Sequence, residues 1–366
     1  MERALATSRD RHSAPPVKNR RIRLMIVDDS MIARSVLSRI VESDDSFELA
    51  AVAGTAEDAI EALQSVRVDT ILLDLEMPGA GGLRSIPRIL DSACGAHVMI
   101  VSSSADEGTE ETIAALAMGA ADALPKPGTG RFNGRFSEVL LSRLKALGYA
   151  DVSRTPAAPL PVSVVHAPLR AMAADPIKLL AIGASTGGIH ALNTFFEALP
   201  KRIGAPILVT QHLPAPFMPV FARQLAIAAK REALVAEDGM MLLPDRIIIA
   251  PGDAHLTLRD GPVVRLDRSA SYSGCMPSLD PMFQSAATLF GPTAVAVVLT
   301  GMGRDGVQGA ARLVAEGGSV LAQDESSSAV WGMPRAVLEA GLACGLMSPD
   351  KLARRVASRL GDGSCK

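Results

Sequence analysis

Short apolar runs alternate with amphipathic stretches through the first part of this chain. Ile22 to Val27 is such a run, and it stops at Asp28-Asp29-Ser30. The next segment carries Ile32, Val36, Leu37, Ile40 and Val41 at the spacing of a helix face. Further apolar runs follow at Phe47 to Ala53, Thr70 to Leu73, His97 to Val101 and Ala121 to Leu124. A helix-like segment follows each, the last reaching about Leu147. Apolar runs separated by helices are what a parallel sheet covered on both faces requires. The pattern predicts an N-terminal doubly wound, parallel five-stranded α/β domain over residues 22–147.

The alternation lapses from 148 to 176, where Pro156, Pro159, Pro161, Pro168 and Pro176 sit among many Ala. Such a stretch cannot bury enough surface to fold alone and reads as a linker. Residues 1–21 are polar, carry Pro15-Pro16, and read as a disordered tail. A second α/β domain is predicted over 177–362. Its strands are expected at Leu179 to Ile182, Ile207 to Thr210, Ile247 to Ala250 and Ala294 to Thr300. Helices are expected to start at Gly187, Pro216, Asp280 and Gly306. Residues 233–268 read as short strands and turns, so the expected sheet is mixed, mainly parallel.

Composition narrows the function. Hydrophobic residues are 48% and aromatics 3%, so the cores must be aliphatic. Lys plus Arg is 37 against 39 Asp plus Glu, which argues against nucleic-acid binding. A DNA-binding regulator would also need a basic recognition helix after the linker, and none is legible. No apolar run reaches the ~18 residues of a membrane span, and the N-terminus lacks the apolar core of a secretory signal. Cys94, Cys275, Cys344 and Cys365 show no metal-ligand spacing and read as free thiols in a reducing cytoplasm.

Chemistry gathers at the strand ends. Asp28 and Asp29 follow the first strand and Asp74 the third, at the carboxyl edge where doubly wound sheets bind ligands. Three carboxylates there call for a hard cation, and Mg²⁺ suits oxygen ligands and phosphate. Ser102 ends the fourth strand and Lys126 follows the fifth, offering a hydroxyl and an ammonium to phosphoryl oxygens. Singly, each could be a solvated loop residue; four successive strand ends together are harder to dismiss. With Leu73-Asp74-Leu75-Glu76-Met77-Pro78 and Lys126-Pro127, these residues resemble the two-component receiver domain. The resemblance implies that Asp74 accepts a phosphoryl group from a histidine kinase. It also implies that Asp29 and Asp74 hold Mg²⁺ with the Glu76 carbonyl, Asp28 close by, and that Ser102 and Lys126 contact the phosphoryl group. Ala123 stands where receivers usually carry an aromatic switch residue, and Gly81 where an Asp is frequent.

In the second domain, Leu179 to Gly188 joins an apolar strand to a Gly-rich turn and a helix start. It lacks both the dinucleotide G-x-G-x-x-G and the P-loop G-K-[ST]. Gly183-Ala184-Ser185-Thr186-Gly187 fits G-x-S-x-G, in which a sharp turn exposes the serine beside helix N-terminal amides. His212 ends the next strand and is the expected base. His190 lies more than a turn along the following helix, and His255 reads as a surface or packing residue. Asp305 follows Ala294 to Thr300 and is the expected orienting acid. The chain order Ser185, His212, Asp305 differs from the Ser, Asp, His of the α/β-hydrolase superfold, so a different scaffold is expected.

Ile182 to Gly188, Thr210-Gln211-His212-Leu213-Pro214, Ala250-Pro251-Gly252-Asp253, Pro277-Ser278-Leu279-Asp280, Leu299 to Gly303, Asp305-Gly306 and Gly332-Met333-Pro334 resemble the chemotaxis protein-glutamate methylesterase family. A receiver, a linker and this domain in that order are its architecture. The resemblance implies hydrolysis of glutamate methyl esters on the cytoplasmic helices of chemoreceptors, deamidation of receptor glutamines, and control by a chemotaxis histidine kinase. No cofactor is expected in the catalytic domain, and no nucleic acid or membrane insertion. Cys275-Met276 stand where the family usually has a basic or imidazole residue. Two other readings stay open: a receiver-gated esterase or amidase with another substrate, and a silent phosphorylation-dependent binding module. Assay on methylated receptor separates the first, and the intact Ser185, His212 and Asp305 argue against the second.

Overall fold

The computed structural model describes residues 20–102, 108–127, 134–150 and 168–360. Most of the expected N-terminal tail, residues 151–167 of the expected linker and the last two residues of the expected second domain lie outside them. The first sheet is built from β1 (Ile22–Val27), β2 (Phe47–Ala53), β3 (Thr70–Leu73), β4 (His97–Ser102) and β5 (Asp122–Pro125), in the order β2-β1-β3-β4-β5. Every pairing is parallel. Helices α1 (Met31–Glu42), α2 (Ala56–Ala62), α3 (Gly82–Ser92), α4 (Gly108–Met118) and α5 (Gly134–Ala150) connect and follow the strands. β3 is buried at all four positions, as a central parallel strand must be. The Ser30 hydroxyl accepts from the Ala33 N–H and so starts α1 directly after the acidic pair. This helix buries the stripe Ala33, Leu37 and Val41 and leaves Ile32 exposed. The helical period was legible, but the face is offset by one residue from the one Ile32 would mark.

The second sheet has seven strands: β6 (Leu179–Ala184), β7 (Ile207–Gln211), β8 (Ala233–Val235), β9 (Ile247–Ile249), β12 (Ala294–Val298), β13 (Ser319–Gln323) and β14 (Gly345–Met347), in the order β14-β13-β12-β6-β7-β9-β8. All its pairings are parallel. The expectation of a mixed sheet is therefore corrected. The antiparallel pair β10 (His255–Arg259) and β11 (Val263–Asp267) forms a separate ribbon. A short turn at Asp260 to Pro262 lets it pair with itself rather than join the sheet. The helices are α6 (Gly188–Ala198), α7 (Met218–Ala229), α8 (Leu279–Phe290), α9 (Val307–Ala315), α10 (Met333–Glu339) and α11 (Pro349–Ala357). β6, β7 and β12 are wholly buried. Each fully buried large aliphatic side chain contributes about 1.5–3 kcal/mol, so these strands form a stiff base for the loops at their carboxyl ends. Among the described residues no helix is long and apolar enough to cross a membrane.

Candidate active site

β6 lies between β12 and β7. Residues following the three strands therefore meet at one edge, and those residues are Ser185, His212 and Asp305. The turn after β6 is tight. Gly187 has φ +75°, and a Cβ there would lie 2.6 Å from Ala329 Cβ. The Ser185 N–H donates to the Thr300 carbonyl at 3.0 Å, and the Ser185 carbonyl accepts from Gly188 at 2.8 Å and from Gln211 Nε2 at 2.9 Å. The serine backbone is thus fixed from both flanking strands.

His212 Nε2 lies 2.8 Å from Asp305 Oδ2. The same oxygen accepts from the Leu279 N–H at 2.8 Å, and Oδ1 accepts from the Ser278 hydroxyl at 2.6 Å. Asp305 is buried. Burial alone would raise its carboxyl, but hydrogen bonds from His212, Ser278 and Leu279 hold it below the usual range. With Nε2–H donated to the carboxylate, Nδ1 is the imidazole nitrogen left with a lone pair. Among the described residues no hydrogen bond joins the Ser185 hydroxyl to His212, a looseness common before substrate binds. Both line one cleft of about 490 Å³.

Ser278 and His255 are supports that residue patterns did not assign. Ser278 was visible only as part of a Pro-Ser-x-Asp stretch. His255, expected at the surface or in packing, is fully buried. Its Nδ1 accepts from the Ser278 N–H at 2.9 Å, and its Nε2 faces the Ser269 carbonyl at 2.9 Å. That pairing fixes the neutral, Nε2-protonated tautomer. His190 is exposed, with Nδ1 3.3 Å from the Ala117 carbonyl.

At the carboxyl edge of the first sheet, carboxylate oxygens of Asp28, Asp29 and Asp74 lie within 4.8 Å of one another. An all-oxygen set of that size fits Mg²⁺. Lys126 Nζ lies 2.6 Å from Asp74 Oδ2 and 2.8 Å from Asp28 Oδ2. Burial raises the Asp74 carboxyl, against the opposing effect of Lys126. The Glu76 N–H donates to Asp74 Oδ1 at 3.3 Å. The Ser102 hydroxyl is buried, 3.4 Å from that of Thr112.

The CheB methylesterase family model matches residues 180–356, and the response regulator receiver domain model matches residues 24–131. A protein-glutamate methylesterase/protein-glutamine glutaminase 2 of Caulobacter vibrioides is 38% identical, over 92% of this chain and 99% of its own. A protein-glutamate methylesterase/protein-glutamine glutaminase of Maricaulis maris is 37% identical, over 93% and 96%. The chain belongs to this family. The crystal structure of the Thermotoga maritima CheB methylesterase catalytic domain is 37% identical, with a TM-score of 0.48, covering 50% of this chain and 98% of that one.

In this methylesterase the receiver lies against the mouth of the cleft. Thr112, Leu116, Asp122 and Arg143 line it beside Ser185 and His212. The Gly187 N–H, at the turn carrying Ser185, donates to the receiver's Ala121 carbonyl at 2.6 Å. The Thr186 hydroxyl lies 3.4 Å from Asp122 Oδ2, and Arg143 holds the other Asp122 oxygen at 2.9 Å. Burial at this contact pushes the Asp122 carboxyl up, opposed by Arg143. Further out, Arg223 pairs with Glu110 of α4. Ala123, standing where a receiver usually has an aromatic, also lines the cleft.

Proposed function

We propose that this protein hydrolyses glutamate methyl esters, and deamidates glutamines, on the cytoplasmic helices of chemoreceptors, under the control of a histidine kinase acting on Asp74. The observation that carries the reading is the 2.8 Å His212–Asp305 contact beside Ser185 on the adjoining strand end. In this mechanism His212 Nδ1 takes the Ser185 proton while Oγ attacks the ester carbonyl. The Asp305 carboxylate stabilises the imidazolium that forms. Backbone amides after Ser185 and in the Gly301–Gly303 loop stabilise the oxyanion, one such donor being worth about 10²–10³ in turnover. The imidazolium then protonates departing methanol, or ammonia from glutamine. Water, deprotonated by the same imidazole, hydrolyses the acyl-enzyme to glutamate.

Gating follows from the docked receiver. It narrows access to the cleft and occupies the Gly187 N–H. Asp28, Asp29, Asp74 and the Glu76 carbonyl would hold Mg²⁺, which when bound offsets charge on the phosphoryl group. A phosphoryl group on Asp74 draws on Lys126 and Ser102 and shifts the docking equilibrium. We assign residues 22–147 to the receiver, 148–176 to the linker and 177–362 to the catalytic domain. The cytoplasm, where kinase and receptor helices meet, is the proposed location.

Methanol release from methyl-labelled receptor membranes tests the reading, with wild type and Ser185→Ala, with and without a small phosphodonor. Release stimulated by donor and lost in the variant is expected. Release by neither protein refutes the receptor substrate.

A further inference from the structure

We propose that the hydrolase cleft is also an inhibitory binding site for a thiophilic divalent cation, Zn²⁺ above all, ligated by His212, Cys275 and Asp305. A ring nitrogen of His212, the Cys275 sulfur and a carboxylate oxygen of Asp305 all lie within 4.8 Å of one another. These are the three ligand types Zn²⁺ takes, and three protein ligands plus one open position form a common zinc geometry. Bond lengths of about 2.0–2.3 Å place the ligand atoms of such a site roughly 3–4 Å apart, so any pair near the 4.8 Å limit must close by up to about one ångström.

The closure falls to Cys275. His212 and Asp305 are already in contact, and Asp305 is held from two further sides. Cys275 instead sits between β11 and α8 in a segment without regular structure. Its neighbour Gly274, at φ +73°, borders open space, and the Cys275 backbone is tied to the hydroxyls of Ser271 and Ser273 within the same segment. Cys275 is half-buried and lines the cleft. The site is also balanced in charge. Ligation releases the thiol proton to solvent, and thiolate plus carboxylate then neutralise the cation. His212 Nε2, the nitrogen beside Asp305, gives its lone pair to the metal, so the single imidazole proton shifts to Nδ1, the nitrogen that does not bind it.

Inhibition follows directly, and it rests on the hydrolase reading above. An imidazole with one nitrogen on a metal and a proton on the other has no lone pair for the Ser185 hydroxyl. The acidic cluster of the receiver, all oxygen, prefers a hard cation, whereas a sulfur-containing set selects softer ones. The two sites therefore discriminate between Mg²⁺ and Zn²⁺ in one chain.

The test uses the full chain freed of metal, in buffer containing Mg²⁺. Zn²⁺ is titrated against methanol release. Co²⁺ is added separately, to read thiolate-to-metal charge transfer in the absorption spectrum. Wild type is expected to show the thiolate band and to lose activity reversibly, with recovery on adding a chelator. Cys275→Ser is expected to lack the band and to need at least about tenfold more Zn²⁺ for half-inhibition, as for loss of a soft ligand. Ser185→Ala is expected to keep the band although it cannot hydrolyse, so failure of the metal site and failure of the hydrolase reading give different results. A band and a Zn²⁺ sensitivity unchanged in Cys275→Ser would overturn the proposal.

Discussion

Replacing Asp305 by Asn separates charge from geometry at the proposed catalytic centre. Asp305 Oδ2 receives N–H groups from both His212 and Leu279, whereas among the described residues Oδ1 receives only the Ser278 hydroxyl. An amide NH₂ cannot face two donors, so the Asn oxygen must take the Oδ2 position. Its nitrogen then meets Ser278 Oγ, which can turn its own proton away and accept. The imidazole keeps its tautomer, and what is lost is the charge facing the imidazolium. At about 4 Å and an effective dielectric near 20, such a charge is worth roughly 4 kcal/mol. The amide dipole retains part of that. At 1.36 kcal/mol per decade the expected loss in kcat is about 10²–10³, with KM little changed. This is milder than the ~10⁴ seen where the amide forces the wrong tautomer. Adding Ser278→Ala removes the acceptor for the amide and should deepen the loss. Initial rates of methanol release over a range of methylated receptor give kcat and KM. An unchanged kcat, or a loss as large as that of Ser185→Ala, would refute the reasoning.

Asp74→Asn should abolish the response to phosphodonor, so that rates with and without donor coincide in the methanol assay. The exposed Arg223–Glu110 pair joins catalytic domain to receiver. Glu110→Arg exchanges an attraction of about 0.2–1 kcal/mol for a similar repulsion. Basal hydrolysis should rise a few-fold and return towards wild type with Arg223→Glu added; a swap that restores nothing would exclude the pair from docking. Lys145 holds the Asp44 carboxyl at about 2, below its ordinary 3.8. Because the folded value is the lower one, the associated stability is present above the ordinary value and fades as pH falls through about 2. In Lys145→Ala the Asp44 carboxyl should titrate nearer 3.8 by NMR, and an unmoved titration would sink this assignment.

The chain's periodicity carried much of the architecture. Strands bounded by Asp28-Asp29, Asp74, Ser185 and His212 are continuous apolar runs, and the polar residue that ends each run sets where chemistry can sit. Local composition was enough there because a buried parallel strand tolerates few polar positions. β13 and β14 were not read, having no motif at their ends. The candidate catalytic residues were legible because each lies at or shortly beyond the carboxyl end of an apolar run, Ser185 and His212 at the strand ends and Asp305 in the loop after β12.

What the sequence alone determined was which residues end strands and what chemistry they carry. The tertiary structure decided which of those ends adjoin, since the strand order β12-β6-β7 depends on crossovers hundreds of atoms apart in the chain. It also decided who supports Asp305. Ser278 lies 27 positions from it and His255 23 from Ser278, so no local period links them. The docking of Ala121 on Gly187 belongs to the same class. A backbone carbonyl has no side-chain signature, and only packing of one domain on the other brings it to a particular N–H.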